Sequence, residues 1–492
     1  MKKITIIFII LILSAAFTFL FAGCNPSTQP SDIVNSYDLS LSYDKNSHTL
    51  SGGMRFYFVN ECEEEISFLL FNLHANAYRE GASYPAVAKE YSSSAYPNGK
   101  SYGNISITSV KTDDSALNYE ICGEDENLLK VHLSAPLEQG NNVTVEIMYS
   151  VKLANVRHRL GYTNRSVNLG NFYPILCYME NNAFCEYPYY NLGDPFVSEC
   201  ANYNVTLICP ESYHVAHSGS KISEQKNQDG TTTYKFKADT VRDFALALSE
   251  NYKVLSGTAD NTTINYYYFA DSKAESTLEL ICRALITYNE LFGNYPYTDY
   301  CVAETDFCYG GMEYPQLVFI SSGLVREQYV STVLHETAHQ WWYGIVGNNQ
   351  ISSAWMDEGL SEYSVMLFYK KNPDYGDFDT KLKAAYKSYK LFYDVIKDYN
   401  KNFDTSLERL PDKYENFNTY MYLNYTKAML MFDSLCQTMG ERPFLSALKK
   451  YCSQYKYTVA DKADMINCFE KSFGADLSVW FDKWLGNEAI IG

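Results

Sequence analysis

The spacing of apolar residues along the chain changes near residue 255. From about Tyr37 to Ser249 apolar and polar residues alternate, as in YDLSLSY and NVTVEIMYSVKL, and Gly-, Asn- and Pro-bearing loops separate the segments. From about residue 255 the spacing becomes helical, as in SKAESTLELICRALITYNELFG, where Gly293 supplies a stop. The segments YCVAETDF and GGMEYPQLVFISS look like strands, and mostly helical patterns follow. The pattern predicts a multidomain α+β protein, with an all-β domain over 37–253 and a mainly α domain over 254–492.

Composition narrows the class of protein. The chain has 492 residues, a hydrophobic share of 46% and a formal net charge of −18. Length favours more than one domain. The acidic balance, together with the absence of a basic run, argues against nucleic-acid binding, which needs clustered Lys and Arg.

The N-terminus, MKKITIIFIILILSAAFTFLFAGCNPSTQPSD, has the parts of a secretory signal. Lys2 and Lys3 precede an unbroken apolar run, and FAGC resembles a bacterial lipobox, in which Cys24 would be lipidated. We therefore predict a signal peptide over 1–23, a polar tether over 24–36 and an extracytoplasmic protein anchored by lipid to the bacterial cell membrane. An uncleaved membrane anchor is the alternative.

Cysteines give little further information. Of the 13 cysteines, 12 remain after Cys24 is set aside, and none of them forms a C-x-x-C pair. A cysteine zinc site is therefore not expected, and the connectivity of any disulfides stays open.

The segment LHETAHQWW carries the strongest candidate chemistry. On a helix His335 and His339 lie one turn apart on one face, so both imidazoles can reach one metal ion. Glu336 points to the neighbouring flank, where it can act as a base on water without binding the metal. The alternative for this segment is a helix with surface histidines.

A third ligand candidate follows eighteen residues after the second histidine. Glu358 lies in AWMDEGLSEY, a helical pattern in which Trp355, Met356 and Leu360 indicate partial burial. Two histidines and one glutamate leave the fourth position of a tetrahedral zinc site open, as catalytic sites require. A solvated helix carboxylate is the alternative at this position. One turn later Glu362 could bond a ligating histidine, but we expect it to be an exposed glutamate.

These spacings resemble those of the gluzincin aminopeptidases of the aminopeptidase N family. Just upstream, GGMEYP is similar to the family's G-x-M-E-N motif, onto which Gly310, Gly311, Met312 and Glu313 fall. The resemblance implies that this segment binds substrate and that Glu313 binds the free α-amine. Tyr314 stands where the family has Asn, which is a departure from the motif.

The resemblance also implies a tyrosine that stabilises the oxyanion, within the family's Y-x-K-G. In NYTKAML this residue is Tyr425, 67 residues after Glu358, with Ala428 in place of the glycine. Tyr420 and Tyr422 are the nearest rivals.

Taken together, the resemblance implies a saddle-like β-sandwich followed by a thermolysin-like catalytic domain. One Zn²⁺ per chain would be held by His335, His339 and Glu358, and the expected reaction is hydrolysis of the first residue from peptides with a free N-terminus. No counterpart of the family's second amine-binding residue, from the β domain, was found. We expect a monomer. A zinc endopeptidase of the gluzincin type and a catalytically silent peptide-binding lipoprotein remain alternatives, and the preferred first side chain stays open.

Overall fold

The computed structural model of the protein describes residues 35–113 and 115–487. The predicted signal peptide, Cys24 and most of the predicted tether lie outside these residues. Within the described ranges, no helix is long and apolar enough to cross a membrane. The twelve cysteines of the described chain are all unpaired.

The N-terminal half of the described chain is built from short strands. They are β1 (Ser36–Asp44), β2 (Thr49–Val59), β3 (Ile66–Asn72), β4 (Asn104–Thr112), β5 (Ser115–Ala116), β6 (Tyr119–Cys122), β7 (Leu128–Leu137), β8 (Asn142–Lys152), β9 (Leu160–Tyr162), β10 (Val167–Leu169), β11 (Ile175–Leu176), β12 (Met179–Glu180), β13 (Ala183–Phe184), β14 (Ala201–Pro210), β15 (His214–His217), β16 (Ser220–Lys226), β17 (Thr231–Val241) and β18 (Leu246–Ser249).

One large sheet organises these strands. Its order is β16-β17-β14-β1-β2-β8-β4-β5, and β1 is parallel to β14 but antiparallel to β2. Two four-stranded sheets, β15-β18-β10-β9 and β11-β3-β7-β6, add their apolar side chains to the same core. Burial alternates along β1, where Tyr37, Leu39, Leu41 and Tyr43 face inward, because successive side chains point to opposite faces of a strand. The all-β character predicted for this half is confirmed.

The second half combines one sheet with a set of helices. The sheet has the order β19-β20-β21-β23-β22, with β20, β21 and β23 parallel. Its strands are β19 (Lys253–Ala259), β20 (Thr262–Tyr268), β21 (Asp299–Thr305), β22 (Gly311–Met312) and β23 (Leu317–Ser321). The α-helices of the described chain are α1 (Ser92–Ala95), in the first half, and then α2 (Ala274–Phe292), α3 (Arg326–Ala338), α4 (Trp355–Lys371), α5 (Phe378–Tyr399), α6 (Phe417–Met421), α7 (Ala428–Met439), α8 (Glu441–Gln454), α9 (Lys462–Phe473) and α10 (Ser478–Leu485).

The predicted change from strands to helices agrees with this architecture. The predicted helix after residue 270 is α2, and Gly293 follows it with a φ of 113°. The five-stranded sheet begins at Lys253, next to the predicted boundary between residues 253 and 254. Residues 35–487 lie within one compact unit, so this boundary stays a prediction.

A buried arginine ties the two halves together. Arg242, directly after β17, donates to the carbonyl of Ser198 in the first half (2.9 Å) and to those of Tyr343 (2.8 Å) and Thr458 (2.9 Å) in the second. A Cβ on Gly347 would lie 2.3 Å from the guanidinium carbon, so the loop can approach only as glycine. These charged hydrogen bonds fix the loop that follows the predicted ligand His339 to the β domain.

We predict that Arg242→Met lowers the free energy of unfolding by at least about 3 kcal/mol, because three buried carbonyls lose their donor at about 1–3 kcal/mol each. Chemical unfolding followed by tryptophan fluorescence measures this change. Arg55→Met, at an exposed position of β2, is the control and should stay within about 0.5 kcal/mol of the parent. Equal effects of the two substitutions would contradict the role given to Arg242.

Candidate active site

A cavity of ≈ 260 Å³ contains most of the predicted site residues. Its lining comes from both halves of the chain, with Arg159 and Asp194 from the first and His335, His339 and Glu358 from the second. A cavity where several polar and titratable groups converge is the usual form of a binding site.

Two helices bring the three predicted metal ligands to one point. His335 lies in the last turn of α3, and His339 caps that helix with φ −60° and ψ −16°, so the two rings keep a helical separation. Their Nε2 atoms are 2.9 Å apart, and Glu358 Oε2, from the first turn of α4, lies 3.1 Å and 3.2 Å from them. The structure therefore places all three predicted ligands together.

The donor set fits zinc. Two imidazole nitrogens and one carboxylate oxygen are the ligand types of catalytic zinc sites. The Nδ1 atom of His339 lies 2.9 Å from the Trp342 carbonyl, to which it can donate, and this leaves Nε2 as the free ligand atom. The Nδ1 atom of His335 lies 3.1 Å from Glu362 Oε1. The expectation of an exposed Glu362 is thus corrected, because its side chain is only 32% exposed and contacts a predicted ligand.

Glu336 and Glu358, which lie beside the two histidines, differ in their pKa values. Burial raises the pKa of Glu336 to about 7. Burial also acts to raise the pKa of Glu358, but the charges and hydrogen bonds of His339 and His335 hold that pKa at about 2. Carboxyl groups whose environments separate their pKa values can divide the roles of ligand and acid–base catalyst.

The backbone of β22 passes directly over Glu336. A Cβ on Gly311 would lie 2.3 Å from Glu336 Oε1, so this close approach requires glycine. Gly310 and Gly311 line the cavity. Met312 has a different role from the predicted contact with substrate, since it is buried and its sulfur accepts from Arg159 Nε at 3.1 Å.

Glu313 sits in a buried group of carboxylates. Gln350 Nε2 donates to Glu313 Oε1 and to Asp357 Oδ2, each at 2.8 Å. Burial, and after it the charge of Asp194, raise the pKa of Glu313 well above its ordinary value. Asp194, whose charge acts on Glu313, is itself ion-paired with Arg159. Such a site favours a positively charged ligand.

Of the three candidate tyrosines, Tyr425 is the one that contacts a predicted metal ligand. It lies in a π-helical turn, Tyr422–Lys427, and its hydroxyl donates to Glu358 Oε1 at 2.5 Å. The rival Tyr420 packs its hydroxyl against Gly193, and the ring of Tyr422 stacks on another aromatic ring of the helical core. π-Helical turns are frequent at functional sites.

Sequence reasoning missed the part of the site that the β domain supplies. Arg159 and Asp194 lie between strands and belong to no recognisable motif, and Gln350 lies in a loop. No motif or spacing in the sequence marks these three residues. No counterpart of the family's second amine-binding residue from the β domain was found in the sequence, and Asp194 is a residue of that domain that lines the cavity.

The chain is similar to known peptidases. Residues 276–484 match the Peptidase family M1 domain. Aminopeptidase Q of Homo sapiens is 23% identical over 402 residues, which cover 75% of this chain and 39% of that protein. Aminopeptidase N of Lactococcus lactis subsp. lactis is 25% identical over 234 residues, or 44% of this chain and 27% of that protein. The chain thus spans two fifths or less of the length of these relatives.

Solved structures share the whole described fold. The M1 zinc metallopeptidase from Deinococcus radiodurans has a TM-score of 0.67 at 16% identity, covering 93% of this chain and 94% of that one. A mutant of that enzyme bound to a Tyr-Ser-Ala substrate has a TM-score of 0.65 at 15% identity and covers 93% and 95% of the two chains. The predicted fold class is confirmed, and the comparisons support the predicted zinc metallopeptidase.

We predict that His339→Ala and Glu358→Gln each weaken zinc binding by more than about 100-fold, since loss of a residue that only orients a ligand already costs about 10–100-fold. Zinc content after dialysis and the zinc-dependent rise in melting temperature measure this loss. Glu336→Gln is the matched control and should retain the metal, because its carboxylate is not part of the triad. Retention of stoichiometric zinc by both ligand variants would refute the site.

Proposed function

We propose that the protein is a zinc-dependent aminopeptidase that hydrolyses the first residue from peptides outside the cytoplasm. The observation that carries the proposal is the buried Glu313, a carboxylate that faces the same cavity as the triad of His335, His339 and Glu358. A buried acidic group beside a metal triad provides both parts of an aminopeptidase, a site for an ammonium group and a site for hydrolysis. The names of the aminopeptidase relatives support the same function.

The triad supports one zinc ion per chain. A second group of possible ligands, Glu313, His339 and Asp357, shares His339 with it. Since Nδ1 of His339 faces a carbonyl, its Nε2 can serve only one of the two groups. When bound, the zinc ion supplies a Lewis acid for a peptide carbonyl and for the attacking water.

Glu336 is the proposed general base and acid. It lies next to His335 but its carboxylate is not among the converging ligand atoms, and Oε2 is buried without a hydrogen-bond partner. A free carboxylate oxygen with a pKa raised to about 7 can accept a proton from water and return it to the leaving amine. Tyr425 would turn its hydroxyl from Glu358 to the oxyanion that forms on the substrate.

The acidic end of the cavity would hold the substrate's α-amine. Glu313 and Asp194 lie close enough for the charge of one to raise the pKa of the other, and an ammonium placed beside both would relieve this repulsion. Ligand atoms of Glu313 and of His339, a member of the triad, lie within 4.8 Å of each other. Binding of a free α-amine so close to the triad favours an exopeptidase over an endopeptidase. The structural relative bound to Tyr-Ser-Ala supports a peptide ligand.

Anchorage is a proposal from the sequence alone. The lipobox-like FAGC motif supports lipidation at Cys24, which would hold the enzyme at the outer face of the bacterial cell membrane. Mass spectrometry of the protein purified from membranes tests this, and an unmodified Cys24 within an intact N-terminus would favour the uncleaved anchor.

We predict that the protein releases the first residue from short peptides with a free N-terminus and that a zinc chelator stops this release. For the N-acetylated forms kcat/KM should be about 100-fold or more lower, because a buried carboxylate would lose its charged partner. Glu336→Gln should lower kcat by about 10²–10⁴-fold while zinc stays bound. Liquid chromatography of the products measures both results. Internal cleavage of acetylated peptides would instead establish an endopeptidase, and no turnover with zinc bound would establish a silent binding protein.

We also predict that Gly311→Ala lowers kcat/KM by about 100-fold, because its Cβ would displace the Glu336 carboxylate and small misplacements of a catalytic group are costly. Gly310→Ala is the matched control in the same loop, since its nearest neighbour, Thr332 Oγ1, would be 3.4 Å away. Steady-state kinetics of the two variants, with zinc content determined for each, make the comparison. Similar losses in both would show that the loop tolerates no side chain and that contact with Glu336 is not the cause.

A further inference from the structure

Three aromatic rings form one side of the active-site cavity. Tyr91, Tyr309 and Phe417 come from distant parts of the chain and all line the cavity. Their ring centroids lie 4.6 Å apart (Tyr91–Tyr309), 4.9 Å (Tyr91–Phe417) and 6.3 Å (Tyr309–Phe417). Tyr309 and Phe417 are within 9° of parallel, and Tyr91 stands steeply against both, so the three rings make a three-sided apolar surface. We call these residues the aromatic wall, beside which Met421 also lines the cavity.

The aromatic wall lies on the amine side of the metal. The guanidinium carbon of Arg159 is 5.5 Å from the centroid of the Tyr309 ring, and the same guanidinium is ion-paired with Asp194. Asp194 is in turn the charge with the largest effect on Glu313. Tyr309 also directly precedes the Gly310–Glu313 segment. A side chain attached next to a bound α-amine is therefore the part of a peptide that would reach these rings.

Charge around the aromatic wall limits which side chain it can take. Arg159, which faces the Tyr309 ring, would repel a cationic side chain placed there. The carboxylates of Asp194 and Glu313 would repel an acidic one. An apolar side chain gains most from contact with three aromatic rings, because its transfer from water is favourable and needs no polar partner.

We propose that the aromatic wall receives the side chain of the substrate's first residue and gives the protein a preference for peptides that begin with a large apolar residue such as Leu, Met or Phe. This inference rests on the proposed aminopeptidase function. Tyr91 belongs to the β domain, so the preference depends on the packing of both halves of the chain.

The test is a series of peptides that differ only in their first residue: Leu, Phe, Met, Ala, Arg and Glu. We expect kcat/KM for Leu, Phe and Met to exceed that for Ala by about tenfold or more, since each additional buried methylene can contribute about that factor. Arg and Glu should fall at or below Ala. A second series with Ala and Leu at the second position should show a smaller difference.

Three variants assign the preference to the aromatic wall. Phe417→Ala should reduce the ratio of kcat/KM for the Leu peptide to that for the Ala peptide to about one third or less of the parent's value, through KM more than kcat. Phe417→Leu should keep most of the parent's ratio. Phe417→Glu should raise the Arg-to-Ala ratio. Tyr399→Ala, at a tyrosine that is 92% exposed on α5, is the control and should leave every ratio unchanged.

The outcomes separate this inference from the function on which it rests. Release of first residues at rates that do not depend on the first side chain, or that favour Arg or Glu, overturns the inference and leaves the aminopeptidase intact. Ratios in Phe417→Ala equal to the parent's likewise remove the aromatic wall as the cause. Failure to release the first residue from any peptide in the series overturns the proposed function and the inference with it.

Discussion

The proposed site depends on the convergence of three predicted ligand atoms, from His335, His339 and Glu358, within about 3 Å of one another. The two histidines come from the end of α3 and the glutamate from the start of α4, so the crossing of these helices has to be held within a fraction of an ångström. The helical core beneath them, rich in Trp and Phe, provides that rigidity because tightly packed interiors resist small displacements. The remaining polar groups of the cavity are arranged around this point.

Around the predicted ligands the protein buries more acidic side chains than basic ones. Asp194, Glu313, Glu336 and Asp357 share the region with Glu358, and Arg159 is the arginine that lines the cavity with them. Burial is the main cause of the raised pKa values of Glu313, Glu336 and Asp357, and repulsion from neighbouring carboxylates adds to it. A divalent metal ion and an ammonium group would each relieve the repulsion among these carboxylates. The same group of acidic side chains would therefore favour the binding of both.

The parts of the site that were predictable from sequence are those whose residues lie close together along the chain. His335 and His339 are separated by one helical turn, and the fold class followed from a change in apolar periodicity that the structure reproduces at Lys253 and α2. Asp194, Arg159 and Gln350 were not predictable, because loops from distant parts of the chain bring them to the cavity without any periodic signal. Tertiary packing also decided details such as the contact of Glu362 with a histidine.

The β domain therefore contributes to the proposed active site and is more than a support beside it. It supplies Tyr91, Arg159 and Asp194 to a cavity whose predicted metal ligands all belong to the helical half. Arg242 joins the two halves through three carbonyls, one of them at Tyr343, four residues after His339. Because the loop that follows the second histidine is bonded to the β domain, a shift between the halves would move Arg159 and Asp194 against Glu313 and the predicted ligands. The position of Asp194 in the acidic group is thus set by the packing of one half of the chain on the other.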